Sequence, residues 1–128
     1  MILLVDTHLL LWAAGEPQKL PKAAKTLLND ADAQLWFSAA SIWEVAIKRA
    51  LGRSDFEADP RRLRRSLLDN AWRELVLSSE HAVAAGELPP IHKDPFDRIL
   101  IAQAQMEGVT LMTSDDQVAQ YAASIKKV

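Results

Sequence analysis

A chain of 128 residues, 49% of them apolar, can build one hydrophobic core, and its lack of cysteine excludes a disulfide framework, a thiolate metal site and a cysteine nucleophile. The net charge of −2 neither demands nor forbids a polyanionic partner. Met1 is followed by no basic residue, Asp6, Thr7 and His8 break the first apolar run, and no stretch nears the ~20 apolar residues of a membrane span, so a soluble cytoplasmic protein is expected.

In chain order, "MILLVDTH" is a short apolar run ended by polar residues, the pattern of a strand buried on both faces. Leu9 to Ala14 read as helix, stopped by Gly15 and Pro17, and a second helix is expected from Pro21 to Asn29. "QLWFS" is the next strand and leads into "SIWEVAIKRALG", where Trp43, Ala46, Ile47 and Ala50 recur at helical spacing, Ser41 is the expected cap and Gly52 the stop. Pro60 to Ala71 form a basic amphipathic helix, "ELVLS" a third strand, and residues 80 to 87 a short helix. A long helix from Pro95 to Glu107 follows, started by Asp94–Pro95 and ended by Gly108. "VTLMT" is a fourth strand, Asp116 to Ala122 a last helix and "IKKV" a terminal strand. Alternating strands and helices define one α/β domain over residues 1–128, with a mainly parallel sheet between helical layers.

In such a sheet, sites open beyond the carboxyl ends of the strands. Asp6 follows the first strand, Asp115 and Asp116 follow the fourth, and Glu44 and Asp97 are expected in the first turns of helices whose N-termini face the same edge. Each has a structural alternative: Glu44 could pair with Ser41 in a capping box, Asp97 with Asp94, and Asp115 or Asp116 could cap the last helix. Asp6 is harder to assign structurally, because a carboxylate at the tip of an apolar central strand needs a cation or several donors. Clustered carboxylates repel unless a cation offsets them, and oxygen-only ligands suit Mg²⁺ or Mn²⁺. Phosphodiester hydrolysis is the reaction class such a site serves.

Charge is distributed unevenly. Lys48, Arg49, Arg53, Arg61, Arg62, Arg64, Arg65 and Arg73 stand against Asp55, Glu57, Asp59 and Asp69, so residues 48–73 carry +4 and the remainder −6. That segment is either a solvated helix face or a surface for phosphates or an acidic partner. His8, His81 and His92 show no metal-ligand spacing and are expected in surface or packing roles, with His8 near the acids. Thr7 could bond a carboxylate or cap the first helix. The four tryptophans lie on apolar stripes, as core or dimer contacts.

"LLVDTHLLLW", "SAASIWEVAIKRALG", "DPFDRILIAQA" and "LMTSD" resemble, in order and spacing, the acidic motifs of the PIN domain and within it the VapC-type toxins of bacterial toxin–antitoxin pairs. The resemblance spans nearly the whole chain. It implies a three-layer α/β/α fold and a Mg²⁺- or Mn²⁺-dependent endoribonuclease, a homodimer held in check by a cognate antitoxin. It carries Asp6, Glu44 and Asp97 onto the first three family acids and Asp115 onto the fourth, with Asp116 adjacent. Asp6 and Asp97 are then the principal metal ligands, Asp115 a supporting ligand, and Glu44 a ligand or the group orienting the attacking water. Asp94 remains a helix cap. Two other classes share part of the pattern: haloacid-dehalogenase-like phosphatases, which need a second Asp where His8 stands, and receiver domains, which need an acidic pair after the first strand.

Overall fold

The computed structural model describes residues 1–128. Five strands, β1 (Ile2–Val5), β2 (Gln34–Ser38), β3 (Arg73–Leu75), β4 (Thr110–Thr113) and β5 (Ile125–Lys127), form one sheet in the order β3-β2-β1-β4-β5. Every neighbouring pair is parallel. The all-apolar β1 takes the centre, where both faces are covered, and Leu3, Leu4 and Val5 are fully buried.

Strand side chains alternate between two cores. Leu3, Val5, Phe37 and Met112 pack beneath α1 (Thr7–Gly15), α2 (Lys22–Leu28), α3 (Ala39–Ala50) and α4 (Pro60–Asp69). Leu4, Trp36, Leu75 and Leu111 face α6 (Pro95–Glu107), against which α5 (Ser79–Glu87) packs. Chain direction accounts for this division. The path β1 to β2 to β3 moves one way across the sheet, whereas β3 to β4 jumps back over β2 and β1, and right-handed crossovers put helices of opposite direction on opposite faces. The reversal creates a switch point between β1 and β4, the position where open parallel sheets form a crevice.

Several boundaries differ from the sequence expectation. Helix α1 begins at Thr7 because Asp6 is its N-cap, accepting the Leu9 N–H. Helix α3 begins at Ala39, capped by Ser38 and not by Ser41, because the Ser38 hydroxyl at the end of β2 accepts the Ala40 N–H. Glu44 is thus in the second turn and makes no capping box. Pro21 precedes α2 instead of opening it. The expected last helix shrinks to one 3-10 turn, Val118–Gln120, and β3 ends at Leu75, after which the Val76 carbonyl accepts from Gln103 on α6. Helix α6 keeps its expected bounds, with Asp94 accepting from Phe96 and Asp97 N–H and Gly108 left-handed at φ 66°.

A candidate active site at the carboxyl edge of the sheet

A cleft of about 510 Å³ opens at the switch point. Asp6, Glu44, Asp97 and Asp115 all line it, together with Asp94, Thr7, Lys48, Arg53 and His92. Asp116 lies outside, largely exposed, with its carboxylate 2.7 Å from Lys127 Nζ.

The cleft divides into two halves. On the α3 side, Glu44 is buried and has both oxygens occupied: Oε1 accepts from Thr7 Oγ1 at 2.6 Å and Oε2 from Lys48 Nζ at 2.6 Å. Lys48 also approaches Asp94 Oδ2 at 3.6 Å and stands over the rings of Phe56 and Phe96. Burial alone would lower the Lys48 pKa, but its bond to Glu44 and the charges of Glu44 and Asp94 raise it, so the ammonium is firmly held. Thr7 therefore bonds a carboxylate, and Asp6, not Thr7, caps α1.

On the β1–β4 side, Asp6 is 7% exposed and accepts from Leu9 N–H and from the fully buried Thr113 hydroxyl. Thr113 in turn accepts the Asp115 N–H at 3.0 Å, tying the two strand ends together. Burial pushes the Asp6 carboxyl up despite these bonds. Asp97, on the first turn of α6, is pushed up to about 7 by burial and by the charge of Asp94, with Glu44 and Asp6 adding repulsion that His92 only partly offsets. Asp115 behaves oppositely: burial raises it, but bonds from Val118 N–H, His92 and Gln117 N–H outweigh this and hold it low. A buried and a half-buried carboxylate whose ionisation is disfavoured, beside a third that is ionised, are an oxygen-rich set that a hard divalent cation would stabilise.

His92 joins this half. Its Nε2 lies 3.0 Å from Asp97 Oδ2 and 3.3 Å from Asp115 Oδ2, and ligand-type atoms of the three residues fall within 4.8 Å of one another. The sequence reading missed it, because the contact joins a connector, a helix and a post-strand loop that no spacing rule links. Lys48 was more legible: Glu44 and Lys48 stand four apart on one helix, a spacing that places them side by side. His8 does line the cleft, with its ring against Phe56 and Asp55, whereas His81 is a buried partner of Ser78 in the capping box of α5. Of the basic segment, Lys48 and Arg53 reach the cleft, while Arg61, Arg62, Arg64 and Arg65 are exposed on α4 and do not line it. Trp36 is buried, but Trp43 is 62% exposed.

A doubly wound parallel sheet with an acidic cleft at its switch point makes the protein an open α/β fold with its candidate site beyond the carboxyl ends of the strands. The sequence model of the PIN domain matches residues 3–124, and the chain belongs to the PIN domain family, with its α/β/α fold. It is 26% identical to ribonuclease VapC22 of Mycobacterium tuberculosis over 92% of this chain and 90% of that one. Among solved structures, VapBC2 from Rickettsia felis, bound to a promoter DNA fragment, superposes with a TM-score of 0.72 at 14% identity, covering 100% of this chain and 99% of that chain. A toxin–antitoxin complex from Klebsiella pneumoniae gives 0.66 at 19% identity over 98% of each chain. VapBC-1 from nontypeable Haemophilus influenzae gives 0.65 at 18% identity, covering 99% and 98%.

Proposed function

We propose that this protein is a divalent-metal-dependent endoribonuclease, the toxin of a toxin–antitoxin pair, and that the cleft between β1 and β4 is its active site. Family membership sets aside the phosphatase and receiver alternatives. The observation that carries the reading is Asp97, a carboxylate kept in a half-buried position where its neighbours oppose its ionisation. Structural needs do not require this placement, because Asp94 already caps α6. The relative named a ribonuclease and the neighbours described as toxin–antitoxin complexes support the substrate class and the antitoxin partner.

Asp6, Asp97 and Asp115 would hold Mg²⁺ or Mn²⁺, which supplies charge to offset the phosphate and brings a water into the nucleophilic pKa range. The chain's own residues do the rest. Thr113 fixes Asp6 and the Asp115 backbone in register. Glu44, already balanced by Lys48, faces the cleft from the opposite wall, where it orients the attacking water. Lys48 keeps a cation near the incoming backbone phosphate, and Arg53 at the rim adds a second. The α4 arginines contact RNA or antitoxin outside the cleft, and the active species is a cytoplasmic homodimer.

The test is incubation of the purified, antitoxin-free protein with total cellular RNA in Mn²⁺ or in EDTA, beside Asp97→Asn. Discrete fragments that need metal and vanish in the variant are expected. Intact RNA with folded wild-type protein in Mn²⁺ would overturn the reading.

A further inference from the structure

We propose that His92, a hydrogen-bond donor to Asp115 lying beside Asp97, stands in the cation's place between the two carboxylates, is displaced when the ion arrives, and is not one of its ligands. The inference rests on the metal site proposed above. It follows from where the two ring nitrogens point.

His92 Nδ1 receives the Asp94 backbone N–H at 3.1 Å. A backbone N–H only donates, so Nδ1 must present its lone pair, and the ring proton is on Nε2. That proton is directed at Asp115 Oδ2, 3.3 Å from Nε2, while Nε2 also stands 3.0 Å from Asp97 Oδ2. Histidines that ligate metals have the reverse arrangement: the lone pair faces the ion while the far N–H is donated to a carbonyl or carboxylate. For Nε2 to ligate, the proton would have to move to Nδ1, where it would face the Asp94 N–H. The donor at Asp94 belongs to the capped start of α6, where Asp94 itself binds two amides, so it is not free to turn away.

Space leads to the same conclusion. Nε2 hydrogen-bonds one oxygen of Asp115 and lies 3.0 Å from one oxygen of Asp97, so the ring and a cation using those oxygens compete for one place. The backbone at His92 is pinned, since its N–H donates to Tyr121 Oη at 2.7 Å. Displacement therefore falls to the side chain, swinging about its own torsions. In the metal-free protein the ring separates two carboxylates that would otherwise repel, keeping the centre ordered at the cost of metal affinity.

The test uses the full chain in three forms: wild type, His92→Ala and His92→Gln. The glutamine keeps an N–H donor at similar reach without an imidazole lone pair. Nitrogen-15 spectra of the metal-free wild type report the tautomer, Mn²⁺ titration calorimetry reports affinity, and thermal melts confirm folding. We expect a protonated Nε2, Mn²⁺ binding several-fold tighter in His92→Ala, and near-wild-type binding in His92→Gln. A proton on Nδ1, or Mn²⁺ binding in His92→Ala no tighter than in wild type, would overturn the proposal while leaving the metal site intact. Absence of Mn²⁺ binding in all three forms would instead remove the metal site, and this inference with it.

Discussion

Under the proposed function, Asp97 sets stability against metal binding in one side chain. Its burial and its acidic neighbours push the carboxyl up to about 7, so near neutrality the metal-free fold carries a charge it would be more stable without. Asp97→Asn keeps the shape and removes the charge. The metal-free variant is expected to melt several degrees higher than wild type at pH 8, to gain little stability from Mn²⁺, and to lose roughly 10³-fold in RNA cleavage, the scale of several kcal/mol of transition-state stabilisation. Thr113 makes the opposite case. Its buried hydroxyl both donates to Asp6 and accepts from Asp115 N–H, so Thr113→Val leaves two buried polar groups without partners. A loss of about 1–3 kcal/mol in urea unfolding is expected, with cleavage down about 10- to 100-fold.

Element boundaries were legible where strong local signals stand at both ends, and less so at α1, whose cap Asp6 also ends β1. Helix α6 runs from Pro95 to Glu107 as read, because Asp94–Pro95 and a left-handed Gly108 are both local signals. The start of helix α3 was misread by three residues, Ser41 being expected where Ser38 is the cap. Ser38 and Ser41 are equally good caps on paper, and only the exit of β2 decides that the hydroxyl of Ser38 meets the Ala40 N–H. The same displacement moved Glu44 out of a capping box and into a bond with Thr7, a residue 37 positions away. The convergence of four acids was readable from the βα alternation and the sheet-edge rule. The roles of His92 and Thr113 were not, because each depends on a backbone amide brought in by tertiary packing. Neutral replacement of Arg61, Arg62, Arg64 and Arg65 together should weaken RNA binding and flatten its salt dependence, while the cleavage rate of saturated RNA stays unchanged, since none of the four lines the cleft. Binding isotherms over a salt series with single-turnover cleavage would check both halves.

Across the whole molecule, the cleft makes stability depend on pH in a defined direction. Asp97 has a folded pKa near 7 against an ordinary value of 3.8, so in the protonated form it contributes stability fully present below 3.8 and lost by pH 7. Asp6 shifts the same way. Asp115 has the opposite sign, with stability present above 3.8 and lost as acid titrates it. The metal-free protein should therefore melt higher at pH 5 than at pH 8, Mn²⁺ should raise the melting temperature more at pH 8, and Asp97→Asn should flatten both trends. Thermal scans with and without Mn²⁺ give the comparison directly. No helix is long and apolar enough to cross a membrane.

A divalent cation held by Asp6, Asp97 and Asp115 would supply the charge for hydrolysis by water, in which attack on phosphorus forms the new P–O bond and the 3′ oxygen leaves. The most direct measurement is the chemistry of the cut ends, read on a defined RNA bearing one mapped cleavage site, with and without a 2′-deoxy substitution at that nucleotide. We expect 5′-phosphate and 3′-hydroxyl ends, formed only with metal and insensitive to loss of the 2′-hydroxyl. A 2′,3′-cyclic phosphate that persists in EDTA and disappears with the 2′-deoxy substrate would contradict hydrolysis by water, since attack would then come from the RNA itself.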